Sequence, residues 1–261
     1  MINNPYYVID FSASSCFVDV RVNDVSVLFL NIEDNLASNI RINHAILKSG
    51  MQKVSYNVLP LAGEINLREG AKFRGILRLY DASGAYIEVE KDIDVYETPE
   101  NKTNSLLPLH KYEASFLADV PYDLVDKSWL NSTDLNKIDG LRELLDKKYK
   151  YLESMFAAKQ YTQFIQMIEA RENNFAVSMY LDQPSKEVRV KELLETLKSS
   201  DYKVVPTSPL DIMFIHGNGK LVTLKKTDGC SAFLLKNSED NELFIELKFH
   251  IVQRSNELSI I

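Results

Sequence analysis

The chain has 261 residues, of which 45% are hydrophobic and 26% are charged, so its composition excludes global disorder and supports one or two folded domains. Its formal net charge of −7 opposes binding to nucleic acids and to anionic membrane surfaces. The N-terminus lacks a secretory signal, and no run approaches the roughly 18 apolar residues of a membrane span. We therefore expect a cytoplasmic protein without a nucleic-acid or membrane partner, in which Cys16 and Cys230 are free thiols.

The first 98 residues have the pattern of β-strands. The segment SCFVDVRV alternates apolar and polar residues with a period of two, which is typical of a half-buried strand. Asn23-Asp24 then predicts a two-residue hairpin turn into VSVLFL. Further strands are predicted at KVSYNVLPL, FRGILRLYD and YIEVEKDIDVY, with turn residues between them. Residues 1–98 are therefore expected to form an all-β antiparallel sandwich domain.

The order of these segments resembles a known family. Four segments follow one another over about residues 16–60: a strand ending in VRVND, the strand VSVL, a polar crossing segment, and INHAILKSGMQKVSYNVLP. This order resembles the jelly-roll sandwiches of galactose-binding-like accessory domains, and the resemblance implies a sandwich fold. Tyr6, Tyr7 and Tyr86 are aromatic residues of this domain that could stack on a sugar.

A change of pattern separates this domain from the rest of the chain. Residues 99–112, PENKTNSLLPLHKY, contain two prolines and no periodicity, which predicts a linker or a docking arm. From about residue 113 the pattern becomes helical, and Ser132-Thr133-Asp134 are candidate N-caps of a first helix. A second helix is predicted over about 160–181, and a third begins after Pro184 with Ser185 or a neighbour as its cap.

Strands follow the helices. They are predicted at YKVV, LDIMFIH, KLVTLKK, SAFLLKN and ELFIELKFHIVQ, and their short connections favour an antiparallel meander. Residues 113–261 are therefore expected to form an α+β domain with about three helices followed by this meander. Helices that precede a curved sheet resemble the nuclear-transport-factor-like cone, although the hairpin that this family inserts between its second and third helices is missing. The resemblance implies a cavity lined by Met155, Phe156, Met167, Met179, Tyr180 and Met213, which otherwise are ordinary core residues.

The stretch HGNGK at residues 216–220 combines a histidine with a glycine-rich run. A phosphate-binding loop would need a helix after it, but the strand KLVTLKK follows. Asn218-Gly219 between two strands instead predicts a type I′ hairpin turn. His216 as a base would need a partner such as Cys230, since Asp211 lies on the opposite face of the same strand. We expect a hairpin tip that presents His216, Asn218 and Lys220 to solvent as a candidate partner contact.

Other chemical signals have structural explanations. The four histidines lie in four different elements, without the spacing of a metal site. Glu169 and Glu172 are expected on a solvated helix face, and Glu246, Lys248 and His250 on the exposed side of a strand. The sequence therefore predicts no catalytic residue, no cofactor and no metal.

These observations favour a non-enzymatic protein that binds another protein. The profile resembles that of bacterial immunity or adaptor proteins, which are cytosolic and acidic and neutralise a basic toxin by blocking its active site. Two alternatives remain: a carbohydrate- or small-ligand-binding protein, and an enzyme with a cone-shaped cavity in the C-terminal domain.

Overall fold

The computed structural model describes residues 2–83, 88–100, 108–199 and 201–261, and for residues 88–90 it describes the backbone alone. Tyr86 and most of the predicted linker, residues 101–107, lie outside the described residues. The chain separates into two compact units, Met1–Leu124 and Val125–Ile261. None of the helices in the described ranges combines the length and the apolar character that a membrane crossing requires.

The first unit contains an antiparallel sheet, as its sequence predicts. Its strands are β1 (Pro5–Val22), β2 (Val25–Arg41), β3 (Gly50–Leu59), β4 (Lys72–Asp81), β5 (Glu88–Glu97) and β6 (His110–Ala118). The turn between β1 and β2 confirms the prediction at Asn23-Asp24, because Val22 pairs with Val25 and both turn residues have positive φ, 52° and 63°.

Strand β1 divides into two halves at Ser15. This residue has a φ of 51°, and the register with β2 shifts between Ser14 and Cys16. The first half pairs with β4 over Pro5–Ser14, whereas the second half pairs with β3 over Phe17–Val22. A bulge of this kind bends a strand and lets it serve two sets of neighbours.

The structure differs from the predicted boundary between the two parts of the chain. β6 falls in the end of the predicted linker and in the start of the predicted α+β domain, yet it pairs with β3 of the first unit from Gly50–Ala118 to Val58–His110. His110, Phe116 and Ala118 are buried on one face, which is the two-residue period of a strand. Leu117 is 70% exposed on the other face, and an apolar residue there obscures this period in the sequence.

The second unit begins with helices and continues with antiparallel strands, as predicted. The helices are α1 (Leu141–Ala157), α2 (Tyr161–Met167), α3 (Glu169–Ser178) and α4 (Gln183–Ser199). The strands are β7 (Lys203–Val204), β8 (Ile212–His216), β9 (Leu221–Lys225), β10 (Leu234–Lys236), β11 (Glu242–Phe244), β12 (Phe249–Ile251) and β13 (Leu258–Ile260). They form two sheets, β11-β10-β7 and β13-β12-β9-β8, where the sequence predicts one meander.

The helix boundaries differ in detail from the predicted ones. Asp134 caps a short 3₁₀ turn, Leu135–Lys137, by accepting a hydrogen bond from the Asn136 amide, and α1 starts only after Gly140. The helix predicted over 160–181 is divided into α2 and α3 at Ile168. The α4 cap is Asp182, whose Oδ1 accepts a hydrogen bond from the Ser185 amide at 2.9 Å.

Aromatic rings fill the interior of the second unit. Phe156, Phe164 and Phe233 have ring centroids 5.0–5.7 Å apart, and Tyr149 lies 5.6 Å from Phe249. Several residues that a cone would place around a cavity belong to this packing: Met155 and Phe156 lie in the core, and Met167 and Met213 pack against it. The Met and aromatic stripe is therefore core.

This packing predicts a large cost for removing one central ring. Phe233 is 0% exposed, so Phe233→Ala should lower the free energy of unfolding by about 3–5 kcal/mol. The matched control Phe244→Ala removes a ring that is 42% exposed and should cost less than about 1 kcal/mol. Urea unfolding followed by the fluorescence of Trp129, the single tryptophan, measures both. Equal losses in the two variants would contradict the filled interior.

Candidate functional site

The HGNGK segment forms the predicted turn. β8 ends at His216, β9 begins at Leu221, and the Lys220 amide donates a hydrogen bond to the Gly217 carbonyl at 3.2 Å. The two central residues, Asn218 and Gly219, have φ values of 55° and 76°, which are those of a type I′ turn. The hairpin interpretation is confirmed.

The tip of this hairpin is covered rather than presented to solvent. The Leu135 amide donates to the Gly219 carbonyl at 2.8 Å, and Lys220 Nζ donates to the Ser132 carbonyl at 2.8 Å. His216 is only 1% exposed, Lys220 is half-buried, and Asn218 alone is exposed. The exposure predicted for His216 is not found, because the covering segment Trp129–Lys137 comes from a distant part of the sequence. A partner contact at this tip stays a prediction that rests on Asn218.

The structure does not bring His216 together with Asp211 or Cys230. Ile212 pairs with Lys225 at the far end of the β8–β9 hairpin, and Asp211 and Cys230 lie at that end. Asp211 is buried, accepts a hydrogen bond from the Ser208 amide at 2.8 Å and receives Lys226 Nζ at 3.4 Å. Cys16 and Cys230 are free thiols.

His250 has a role that the sequence does not reveal. The exposed position predicted for it is wrong, since it is 7% exposed and its Nδ1 lies 2.7 Å from Ser132 Oγ. Burial lowers the pKa of His250. The Thr133 amide also donates to the Ile251 carbonyl at 2.9 Å. Ser132 and His250 therefore fasten the covering segment to β12.

The covered tip makes Gly219 sensitive to substitution. A Cβ at this position would overlap Asn136 Nδ2 and would lie 2.9 Å from Asp134 Oδ1. Gly219→Ala should lose about 1–2 kcal/mol of unfolding free energy through its positive φ and about 1–3 kcal/mol more through the overlap. Gly140→Ala is the control, because Gly140 also has positive φ but its nearest contact is Glu143 Oε2 at 3.4 Å. The unfolding free energies are measured by urea titration. Equal losses in the two variants would contradict the packing of the segment Trp129–Lys137 against the hairpin tip.

The burial of His250 predicts a pH-dependent stability of the second unit. Its pKa lies below the ordinary 6.5 in the folded chain, so the unfolded chain binds the proton more readily. The unfolding free energy should be highest above about pH 6.5 and should decrease as the pH falls from there toward the folded pKa. This decrease is measured by urea titrations at several pH values, followed by the fluorescence of Trp129. His250→Gln should largely remove the decrease. Ser132→Ala keeps the imidazole and should keep most of the decrease. An unchanged pH profile in His250→Gln would refute the assignment.

Strand β5 carries most of the acidic groups at one edge of the first sheet. Its sequence EVEKDIDVYE has five acidic residues and one lysine, and within the described ranges it pairs with β4 alone. Arg78 of β4 contacts Asp92 at 2.7 Å and Asp10 at 2.6 Å. Glu97 lies 3.8 Å from Arg74, and 67% of its side chain is exposed. Of the acidic side chains that the structure describes on this strand, Asp92 and Glu97 are exposed and Asp94 is half-buried.

A stack of tyrosines lies beside this strand. The rings of Tyr96 and Tyr112 are 4.5 Å apart and nearly parallel, and Tyr56 lies 5.6 Å from Tyr96. Tyr112 donates to Asp94 Oδ1 at 3.0 Å. Burial, and then the charge of Asp94, raise the pKa of Tyr56. None of these three tyrosines is among those that the sequence selects for sugar stacking.

Tyr6 and Tyr7, which the sequence selects for sugar stacking, do not belong to this stack. Tyr7 is 2% exposed, and its hydroxyl accepts a hydrogen bond from the Asp119 amide at 2.8 Å, so it belongs to the core. Tyr6 is half-buried, with the Arg41 guanidinium 5.7 Å from its ring centroid. The structure does not bring these rings into an open stacking surface.

Charged residues of the second unit are more buried than their spacing indicates. Glu172, predicted on a solvated helix face, is 3% exposed and lies between Arg171 and Arg189. Lys225 is 7% exposed and contacts Glu246 at 2.7 Å. Helical spacing alone does not reveal this burial, because the covering groups come from other elements.

The described part of the chain contains no group of three or more His, Cys, Asp or Glu residues suited to a metal ion. Comparison with known proteins yields no relative, since no protein family, curated protein or solved structure matches the chain.

Proposed function

We propose that this chain is a non-enzymatic protein that binds another protein with a basic surface, as bacterial immunity proteins do when they neutralise a toxin in the cytoplasm. The observation that carries the proposal is the acidic edge strand β5. The packing of Met155 and Phe156 in the core of the second unit also favours it over an enzyme with a cone-shaped cavity. A carbohydrate- or small-ligand-binding protein stays the alternative.

Charge complementarity defines the partner. By sequence β5 has five acidic residues and one lysine, so 1 − 5 = −4, and its exposed carboxylates Asp92 and Glu97 face Arg78 and Arg74 of β4. Over residues 1–98 the sequence contains nine basic and thirteen acidic residues, hence 9 − 13 = −4. A surface of this sign steers a basic protein and repels an acidic one.

The sheet of the first unit also allows a proposal about its fold. We infer that the first unit is a β-sandwich domain of the galactose-binding-like kind. The two halves of β1 carry different neighbours, and Tyr56 of β3 meets Phe73 of β4 with ring centroids 5.4 Å apart. The second unit is then a separate α+β domain.

Charge removal on β5 tests the proposal. Asp92→Asn with Glu97→Gln should weaken binding of the partner about tenfold or more, chiefly by slowing association at low salt. Asp126→Asn with Glu192→Gln removes the same charge from exposed positions in the second unit and should change the affinity less than about twofold.

The partner is sought as a small basic or nuclease-like protein encoded beside this gene, and by capture from lysate over a range of salt concentrations. Dissociation constants measured by calorimetry at two salt concentrations then compare the variants. Capture of no protein at any salt concentration, or equal affinities of the two double variants, would overturn the proposal.

A further inference from the structure

A cleft on the surface of the second unit lies between α1, α2 and the connection from β12 to β13. Its volume is about 480 Å³, which falls within the size range of small-molecule sites in proteins. Leu144 of α1 and Met167 of α2 line it, and both pack against the aromatic core from outside. The cleft therefore lies outside the filled interior. We name it the α1–α2 cleft.

One face of α1 forms the first wall of the cleft. Leu144, Lys147, Lys148 and Tyr151 line it, and their helical spacing places them on the same side of α1. Leu144 and Lys148 are half-buried, whereas Lys147 and Tyr151 are exposed. The wall therefore combines an apolar side chain with two ammonium groups that a ligand can reach from solvent.

Apolar side chains from three elements meet in the cleft. Leu144 comes from α1, Met167 from α2 and Leu258 from the start of β13. Leu258 is 5% exposed, and the other two are half-buried. A short hydrocarbon chain that covers these residues withdraws apolar surface from water, which favours binding.

The cleft carries a local positive charge. Among the described residues, the ion pair of α1 joins Arg142 with Asp146, and neither Lys147 nor Lys148 takes part in an ion pair. Glu257, on the other side of the cleft, supplies one negative charge, so 2 − 1 = +1. The whole chain has a formal net charge of −7, so this local excess marks a place that attracts an anion.

Contacts with α1 and α2 hold Lys148 in position for an anion. Its Nζ lies 5.8 Å from the ring centroid of Tyr151, within the distance of a cation–π contact. Gln163 of α2 donates a hydrogen bond to the Tyr151 hydroxyl at 3.0 Å and so orients the ring. Burial lowers the pKa of Lys148, and the charge of Glu257 acts in the opposite direction. An ammonium group that has lost part of its hydration is stabilised by an added counter-charge.

We propose that the α1–α2 cleft binds a small monocarboxylate with an apolar chain. The carboxylate accepts hydrogen bonds from the ammonium groups of Lys147 and Lys148, and its single charge matches the local excess of +1. The chain covers Leu144, Met167 and Leu258. The site needs no protein partner, so it stands or falls independently of the proposed function.

Titration with hexanoate, followed by amide NMR of the isotope-labelled full chain, tests the proposal. We expect saturable binding at one site. Acetate keeps the carboxylate but lacks four methylene groups, so it should bind at least about tenfold more weakly. Hexanol keeps the chain but lacks the charge, so it should also bind about tenfold more weakly.

Charge variants locate the site. Lys148→Gln should weaken hexanoate binding about tenfold, because a charge-assisted hydrogen bond is lost. Lys150→Gln is the matched control: Lys150 is exposed on the same helix but does not line the cleft, so the affinity should stay within about twofold. Glu257→Gln removes a carboxylate that repels the ligand and should tighten binding about two- to threefold.

Circular dichroism verifies that each variant folds. If Lys148→Gln does not fold, Lys147→Gln changes an exposed side chain and should weaken binding severalfold. No saturable hexanoate binding to the wild-type chain at concentrations up to about 10 mM would overturn the proposal. Equal weakening in Lys148→Gln and Lys150→Gln, equal affinities for hexanoate and hexanol, or weaker binding in Glu257→Gln would also overturn it.

Discussion

The hydrogen-bonding capacity of the β1 backbone is the constraint on which the first unit depends. β2 pairs with both halves of this strand, while β4 and β3 take one half each. Buried side chains complete the ends of the arrangement, since Asn43 accepts from the Tyr7 amide at 2.8 Å and donates to the Pro5 carbonyl at 2.9 Å. Backbone N–H and C=O groups that are withdrawn from water require hydrogen-bond partners. In addition, a shift of one residue in the pairing of β1 would turn its core side chains to the other face of the sheet. The register of the sheet is therefore strongly specified.

In the second unit the same requirement operates at a loop. The covering segment Trp129–Lys137 supplies donors and acceptors to the β8–β9 tip and to β12, through Leu135, Ser132 and Thr133. A glycine-rich tip that would otherwise expose its backbone becomes part of a packed surface. The rings around Phe233 occupy the interior of this unit.

Charge is distributed unevenly along the chain. Asp92 and Glu97 of β5 are exposed at a sheet edge, where a macromolecule can approach. In the second unit buried charges are instead paired, as in the contacts of Glu172 with Arg171 and Arg189 and of Lys225 with Glu246.

The local features follow from the sequence alone: the antiparallel strands of the first unit, the helices that precede strands in the second, and the turns at Asn23-Asp24 and Asn218-Gly219. These depend on periodicity and on which residues tolerate positive φ, and both properties act between near neighbours. The pairing of β6 with the first unit and the burial of His216, His250, Glu172 and Lys225 depend on the tertiary structure. The physical reason is that burial and charge pairing join residues far apart in the chain, and a pattern of neighbours does not encode which distant segment will cover it.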